Sequence, residues 1–403
     1  MNAVTRIDDQ AAPGLFPTRQ QMLVLEAALS PAEPALAAFR KWVGLIDLDA
    51  EFEYDTFRLL PLMYDNLRRH GVRHPLMARL KGIYRQTWYK NNKLFSDLAP
   101  VLEALHAAKI PVLLLKGVPL IEQYYRNIAL RPMADIDVLV APARAREAIE
   151  LMTPFAYQRI AVPSPDFLKY RHAMGYWSPN NGEFDLHWHA LYECQGASAD
   201  DFFWNRARPL RFAGLDSLAP DATGLLLHTV IHGFRWNPEP PIRWIPDALT
   251  ILRTAGGEID WDAMTDYANA EALNHRLRLP LQFLQQRFAA PIPDAVLTRL
   301  SRRRTSLVQR IENSCVLRDP RGLHANPLGH LWIVFADYCR FARKANPVSF
   351  AIGFTHYLRF RWELPGRLAI PAYVTRGLFK RVRRWLPLRA QQPGLEKAPQ
   401  ALD

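Results

Sequence analysis

The sequence predicts an α+β protein: a small mixed sheet flanked by N-terminal and C-terminal helical regions. Three observations carry that expectation. Apolar residues recur at helical spacing up to about residue 107 and again beyond about 217. Between these limits the pattern changes to short apolar or alternating runs, which is the period of strands. Two of those runs flank Asn180-Asn181-Gly182, a strong hairpin turn.

The elements follow in order. Residues 1–18 read as a loose tail, and 19–107 as an N-terminal helical domain. Within it FRLLPLMYDNLRRHG (57–71) has helical spacing and stops at a glycine. IPVLLL (110–115) is a buried strand, followed by Lys116-Gly117 and a helix over 118–127 with Pro119 in its first turn, where the missing N–H costs nothing. ADIDVLV (134–140) alternates and predicts a strand; ARAREAIELM (143–152) predicts a helix. MGYWSP (174–179) and GEFDLHWHAL (182–191) form the hairpin. Together these define a core over 108–216. Helices over 222–236, 245–253 and 271–288 make a covering domain over 217–300, and 301–403 is a basic, proline-punctuated helical region.

Hydrophobic residues make up 49% of the 403-residue chain and charged residues 22%, which excludes a disordered or fibrous protein. The formal charge of +12 suggests an anionic partner, but its distribution narrows that. Residues 301–403 hold 19 Lys/Arg against 6 Asp/Glu, whereas the first 300 hold 32 against 33. Cys194, Cys315 and Cys339 are scattered and form no CxxC, which argues against a disulfide framework or structural zinc. The N-terminus lacks the apolar stretch of a signal peptide. The longest apolar run, Leu328 to Phe341, is short and holds Asp337 and Arg340. A cytoplasmic protein is expected.

The chemistry centres on Asp135-Ile136-Asp137. In a strand, residues i and i+2 project from one face, so both carboxylates would lie together. Burying two such charges unpaired is costly, and a hard divalent cation relieves it. Asp185, in the other predicted strand, adds a third carboxylate. Three carboxylates on adjacent strands suit a two-metal centre for in-line phosphoryl or nucleotidyl transfer. Against this stands the plain reading of a solvated aspartate pair beside Arg131. Lys116-Gly117 sits at a strand-to-helix turn, where backbone N–H groups and a lysine can meet an anion; the plain reading is a helix-entry turn with a surface lysine.

Strand–Lys-Gly–helix, then R-P-x-x-D-I-D-V-L-V, then a hairpin ending F-D-L-H-W, resembles the uncharacterised bacterial nucleotidyltransferase family, with a minimal core of the polymerase-beta type. H-T-V-I-H-G-F (228–234), R-W-I-P-D (243–247) and P-L-M-Y-D-N-L (61–67) extend the resemblance over about 55–255. It implies that Asp135, Asp137 and Asp185 are catalytic and bind Mg²⁺, with Mn²⁺ as the alternative. It also implies that Gly117 serves the phosphate turn; from their charge and position, Lys116, Arg131 and His187 are expected to bind the nucleotide as well. Val118 stands where the wider superfamily usually has serine, and Asp135 lies 18 positions after Gly117, a longer spacing than usual.

Asp185, His187 and His189 alternate along one predicted strand and so share a face, beside the site or simply in packing. His228 and His232 lie one helical turn apart, without the glutamate of HExxH, so a zinc protease is not expected. Arg243 and Asp247 have the spacing of an i,i+4 pair. RGLFKRVRRWLPLR (376–389) carries six positive and no negative residues along an apolar stripe. It suits an anionic membrane surface, and a nucleic acid less well.

The expected function is an Mg²⁺-dependent nucleotidyltransferase, using an NTP and an acceptor hydroxyl, cytoplasmic or peripheral at the inner face of the membrane. The alternatives are a catalytically silent nucleotide sensor of the same fold, which Val118 favours, and a membrane-surface adaptor acting through 376–389.

Overall fold

A computed structural model of the chain describes residues 14–47, 52–155, 157–159, 165–179, 182–196, 198–235, 240–302, 327–342 and 346–375. Helix α1 (Arg19–Leu29) opens with a reciprocal cap: Thr18 Oγ1 accepts from the Gln21 N–H at 3.3 Å, and Gln21 Oε1 accepts from the Thr18 N–H at 2.9 Å. Helix α2 (Ala32–Val43) packs on it. The run expected as one helix over 57–71 is divided into α3 (Tyr54–Phe57) and α4 (Leu60–Arg69), with Pro61 in the first turn of α4. Beyond α4 the chain turns at Gly71, whose φ is +69°. Helix α5 (Leu76–Ala107) then runs 32 residues to the sheet.

Among the described residues, seven strands form one mixed sheet in the order β3-β4-β5-β2-β1-β7-β6. Strand β1 (Leu113–Leu115) starts later than the apolar run because Pro111 has no N–H to give a ladder. A short helical turn α6 (Gly117–Pro119) continues into a π-helix, Leu120–Tyr125, in place of the expected α-helix over 118–127. Strand β2 (Ile136–Leu139) begins just after Asp135. Helix α7 (Ala145–Leu151), strand β3 (Gln158–Arg159) and helix α8 (Pro165–Tyr170) lead to the expected hairpin of β4 (Ala173–Ser178) and β5 (Gly182–His187). Helix α9 (Asp201–Trp204) precedes a second hairpin, β6 (Arg208–Phe212) and β7 (Leu215–Ala219). Strand β7 pairs parallel with β1 and therefore runs through the boundary expected at 216. The sheet claims residues up to Ala219.

Alternation along the strands sorts the sheet into two faces. Leu114, Ile136, Val138, Phe184 and Leu186 pack with Leu98, Val101 and Leu105 of α5. Leu113, Leu115 and Leu139 belong to the other core, shared with α1, α4 and the helices that follow the sheet. Asp137 has the same parity as Leu139, and Asp185 lies beside it in the next strand, so the carboxylates lie on this second face.

That face is covered by α10 (Ala222–Gly233), capped by Asp221, whose carboxylate accepts from the Gly224 N–H at 2.8 Å. Helices α11 (Trp244–Ala255), α12 (Trp261–Ala270), α13 (Asn274–Phe288) and α14 (Asp294–Arg302) complete the cover. Two further helices, Pro327–Phe341 and Pro347–Arg361, join through Val334, Tyr338, Tyr357 and Leu358, and Tyr170 of α8 packs into the same cluster. Among the described residues no helix is long and apolar enough to cross a membrane. The basic run 376–389 lies outside the described residues.

Candidate metal centre

The strand register builds the site. Leu115 pairs with Asp137, Asp137 with Asp185, and Asp185 with Gly175, so the two aspartates stand side by side at the middle of the sheet. His187 follows two residues after Asp185 on the same face. Ligand atoms of Asp137, Asp185 and His187 lie within 4.8 Å of one another, and no other such trio of ligating side chains occurs among the described residues.

Asp137 is 2% exposed. Its Oδ1 accepts from Lys116 Nζ and, at 2.9 Å, from His187 Nε2. Burial opposes its charge, but Lys116 and His187 together overcome that and hold the carboxyl well below the usual carboxylate range. Asp185 is displaced the opposite way: burial, then the neighbouring Asp137 charge, raises it. Together with His187 these two carboxylates could hold a metal ion.

Lys116 has φ +51°, a conformation that costs a residue with a side chain roughly 1–3 kcal/mol. The turn it makes carries β1 into α6 and sets its ammonium on Asp137. At Gly117 the constraint is contact rather than φ, and it comes from the ends of two long side chains. A Cβ there would lie 2.6 Å from Met133 Cε and 2.8 Å from an Arg131 guanidinium nitrogen. Val118 is fully buried in the α5-side core.

The remaining expected residues lie at the margins. Asp135 precedes β2 and stands outside the trio, though its charge acts on Asp185 and Arg243. Arg131 is 5% exposed and feels the charge of Asp137 without bonding to it. Its fork closes on Asp247, Nε to Oδ1 at 3.0 Å and Nη2 to Oδ2 at 2.9 Å. The spacing of Arg243 and Asp247 suggested a pair, and this is corrected: Asp247 takes Arg131 and the Tyr125 hydroxyl, while Arg243 donates to the Pro132 carbonyl at 2.7 Å. His189 leaves the shared face because β5 ends at His187; its Nδ1 meets Asp200 at 2.7 Å.

Helix α10 closes the face. His228 Nε2 donates to the Ala190 carbonyl at 3.0 Å, and the His228 and His232 rings stack with centroids 5.6 Å apart. Burial, then Lys116, pushes His228 down to about 3, so it stays neutral. Sequence reasoning missed Asn91. Its buried amide donates to the Ile128 carbonyl at 2.7 Å and the Arg131 carbonyl at 2.8 Å, and accepts from the Met133 N–H at 3.1 Å. It thereby fixes the loop that leads to Asp135. A polar residue within a long helix gives no local sign of such a partner.

A mixed sheet flanked by helices, with carboxylates in register on neighbouring strands, is consistent with a nucleotidyltransferase domain. A family model described as uncharacterised nucleotidyltransferase matches residues 55–289, more than half of the chain, and the chain belongs to that family. The match runs beyond the expected limit near 255, through α13. No curated protein matches the chain.

Proposed function

We propose that the protein transfers an NMP from an NTP to an acceptor hydroxyl. The observation that carries this reading is the registered Asp137–Asp185 pair, the first buried and the second half-buried, with His187 beside it. Two carboxylates backed by an imidazole fit Mg²⁺, and Mn²⁺ at least as well. Asp137 and Asp185 would hold the cation, with Asp135 at the rim. When bound, it would supply charge neutralisation and a lowered acceptor pKa.

The chain's own groups divide the remaining work. Lys116, now on Asp137, would turn to the phosphates once that carboxylate has another partner. Gly117 would let Met133 and Arg131 close under the turn, and Arg131 would brace it against Asp247. His187 would hold Asp137 in place through Nε2. The acceptor oxygen would form its bond to the α-phosphorus as the bond to the β-phosphate oxygen breaks, releasing pyrophosphate. The hydroxyl proton would pass to Asp185, the more open carboxylate of the pair.

A second reading is a binding-only member of the fold, favoured by the buried Val118 at the turn. Incubation with each α-labelled NTP, Mg²⁺ or Mn²⁺, and a cell extract as acceptor source tests both. Transfer of label with matching pyrophosphate supports the enzyme. NTP binding without label transfer or pyrophosphate supports the sensor, and neither binding nor transfer contradicts both.

A further inference from the structure

A cleft of about 400 Å³ opens where the chain enters the aspartate segment. One wall is α3 and its end, with Tyr54, Phe57 and Arg58; the other is α5, with Gln86 and Lys90. The floor is Pro132, Met133 and Ala134, the residues immediately before Asp135. The floor is built rather than loose, because the buried Asn91 amide holds it from one side and Arg243 Nη1 donates to the Pro132 carbonyl from the other.

Two features define what the cleft would take. Its walls combine an aromatic and thioether surface from Phe57 and Met133 with cations at the mouth. Arg58 lies over the Tyr54 ring at 4.7 Å, and Lys90 is exposed. Behind the floor three guanidinium groups gather: Arg243 lies near Arg131 and Arg58, and burial and then these two charges hold it down to about 9, against Asp247 and Asp135. Arg131 already has Asp247. A planar ring joined to a polyanion matches both features, since the ring meets apolar surface and the anion meets the cationic side of the floor.

Met133 links this cleft to the catalytic turn, because it lies against Gly117, next to Lys116. A ligand with phosphates at Lys116 and the carboxylates would therefore extend its other end over Met133 and into the cleft. We infer that the cleft is the nucleoside subsite, holding the base and sugar of the NTP; this rests on the reading under Proposed function. The volume is in the range of small-molecule pockets of about 300–1,000 Å³.

Gln86→Trp tests the inference. Gln86 is exposed on α5, so the substitution fills the cleft without disturbing a core. Binding of NTP and of inorganic tripolyphosphate, each with Mn²⁺, is measured by calorimetry on the full chain, alongside Tyr54→Ala. The inference predicts that wild type binds NTP more tightly than tripolyphosphate. It also predicts that Gln86→Trp weakens NTP by about tenfold or more while tripolyphosphate stays within about twofold. Unchanged NTP affinity in both variants overturns the subsite and leaves the nucleotidyl-transfer reading standing. Wild type binding neither ligand overturns that reading, and the subsite with it.

Discussion

Asp137 is the residue on which the electrostatics of the face converge. It receives Lys116 and His187 on one oxygen and sits beside Asp185. Asp137→Asn keeps the shape and removes the charge. Turnover is expected to fall by more than about 100-fold, whereas His187→Gln, acting through Asp137, should cost about 10–100-fold and remain partly restored at higher Mn²⁺. Steady-state rates across a metal titration separate the two. Equal losses, with no rescue by metal, would contradict the division of roles. The Arg131–Asp247 fork makes a different kind of prediction. Both groups are almost fully buried, so Asp247→Asn leaves an uncompensated guanidinium and should cost about 3–5 kcal/mol in urea unfolding. Arg131→Met with Asp247→Leu should recover much of that, because the pair is removed whole.

At the scale of elements, α10 is fixed by how closely α11 approaches it. A Cβ on Gly233 would collide with the Trp244 side chain at its root, where it has no freedom to swing away. Gly233→Ala should therefore destabilise by about 1–3 kcal/mol, while Gly257→Ala, with nothing near, should stay within about 0.5 kcal/mol. Thermal melts of the two variants check this. The same scale explains what could be read beforehand. The β4–β5 hairpin was legible because Asn180-Asn181-Gly182 and alternation are local signals. The β6–β7 hairpin was not: RPLRF and LDSLA are short and weakly alternating, and β7 is secured by its long-range pairing with β1. Strand parity made Asp135 and Asp137 legible as a pair with Asp185 as a third carboxylate; the register that sets Asp137 beside Asp185 and leaves Asp135 outside the trio was not. The Arg131–Asp247 fork was not, since it joins residues 116 positions apart.

For the whole molecule, acid stability follows from groups buried neutral or held ionised. Burial and then Lys116 push His228 down to about 3 in the fold, and burial and then Arg278 push His275 down to about 4. Unfolded, each titrates near 6.5, so below that pH the unfolded chain binds protons that the fold refuses. Stability from these two groups is present above about 6.5 and lost as pH falls toward 4. Asp137, depressed in the fold, adds a second loss that begins below its unfolded value near 3.9. Urea midpoints at pH 7.5, 5.5 and 4.5 should fall steadily, and His228→Gln with His275→Gln should flatten the upper part of that decline. The net charge belongs to the same scale. Its excess lies in residues 301–403, away from the family-matched region that carries the carboxylates.

The central claim is that Asp137 and Asp185 bind a divalent cation together with a nucleotide. Electron paramagnetic resonance titration of Mn²⁺, with and without NTP, measures this directly. The account predicts bound Mn²⁺ in wild type, tightened by NTP, and loss of that binding in Asp137→Asn and Asp185→Asn variants that keep the wild-type melting profile. Mn²⁺ binding that is absent from wild type in the presence of NTP, or identical in all three proteins, would contradict it.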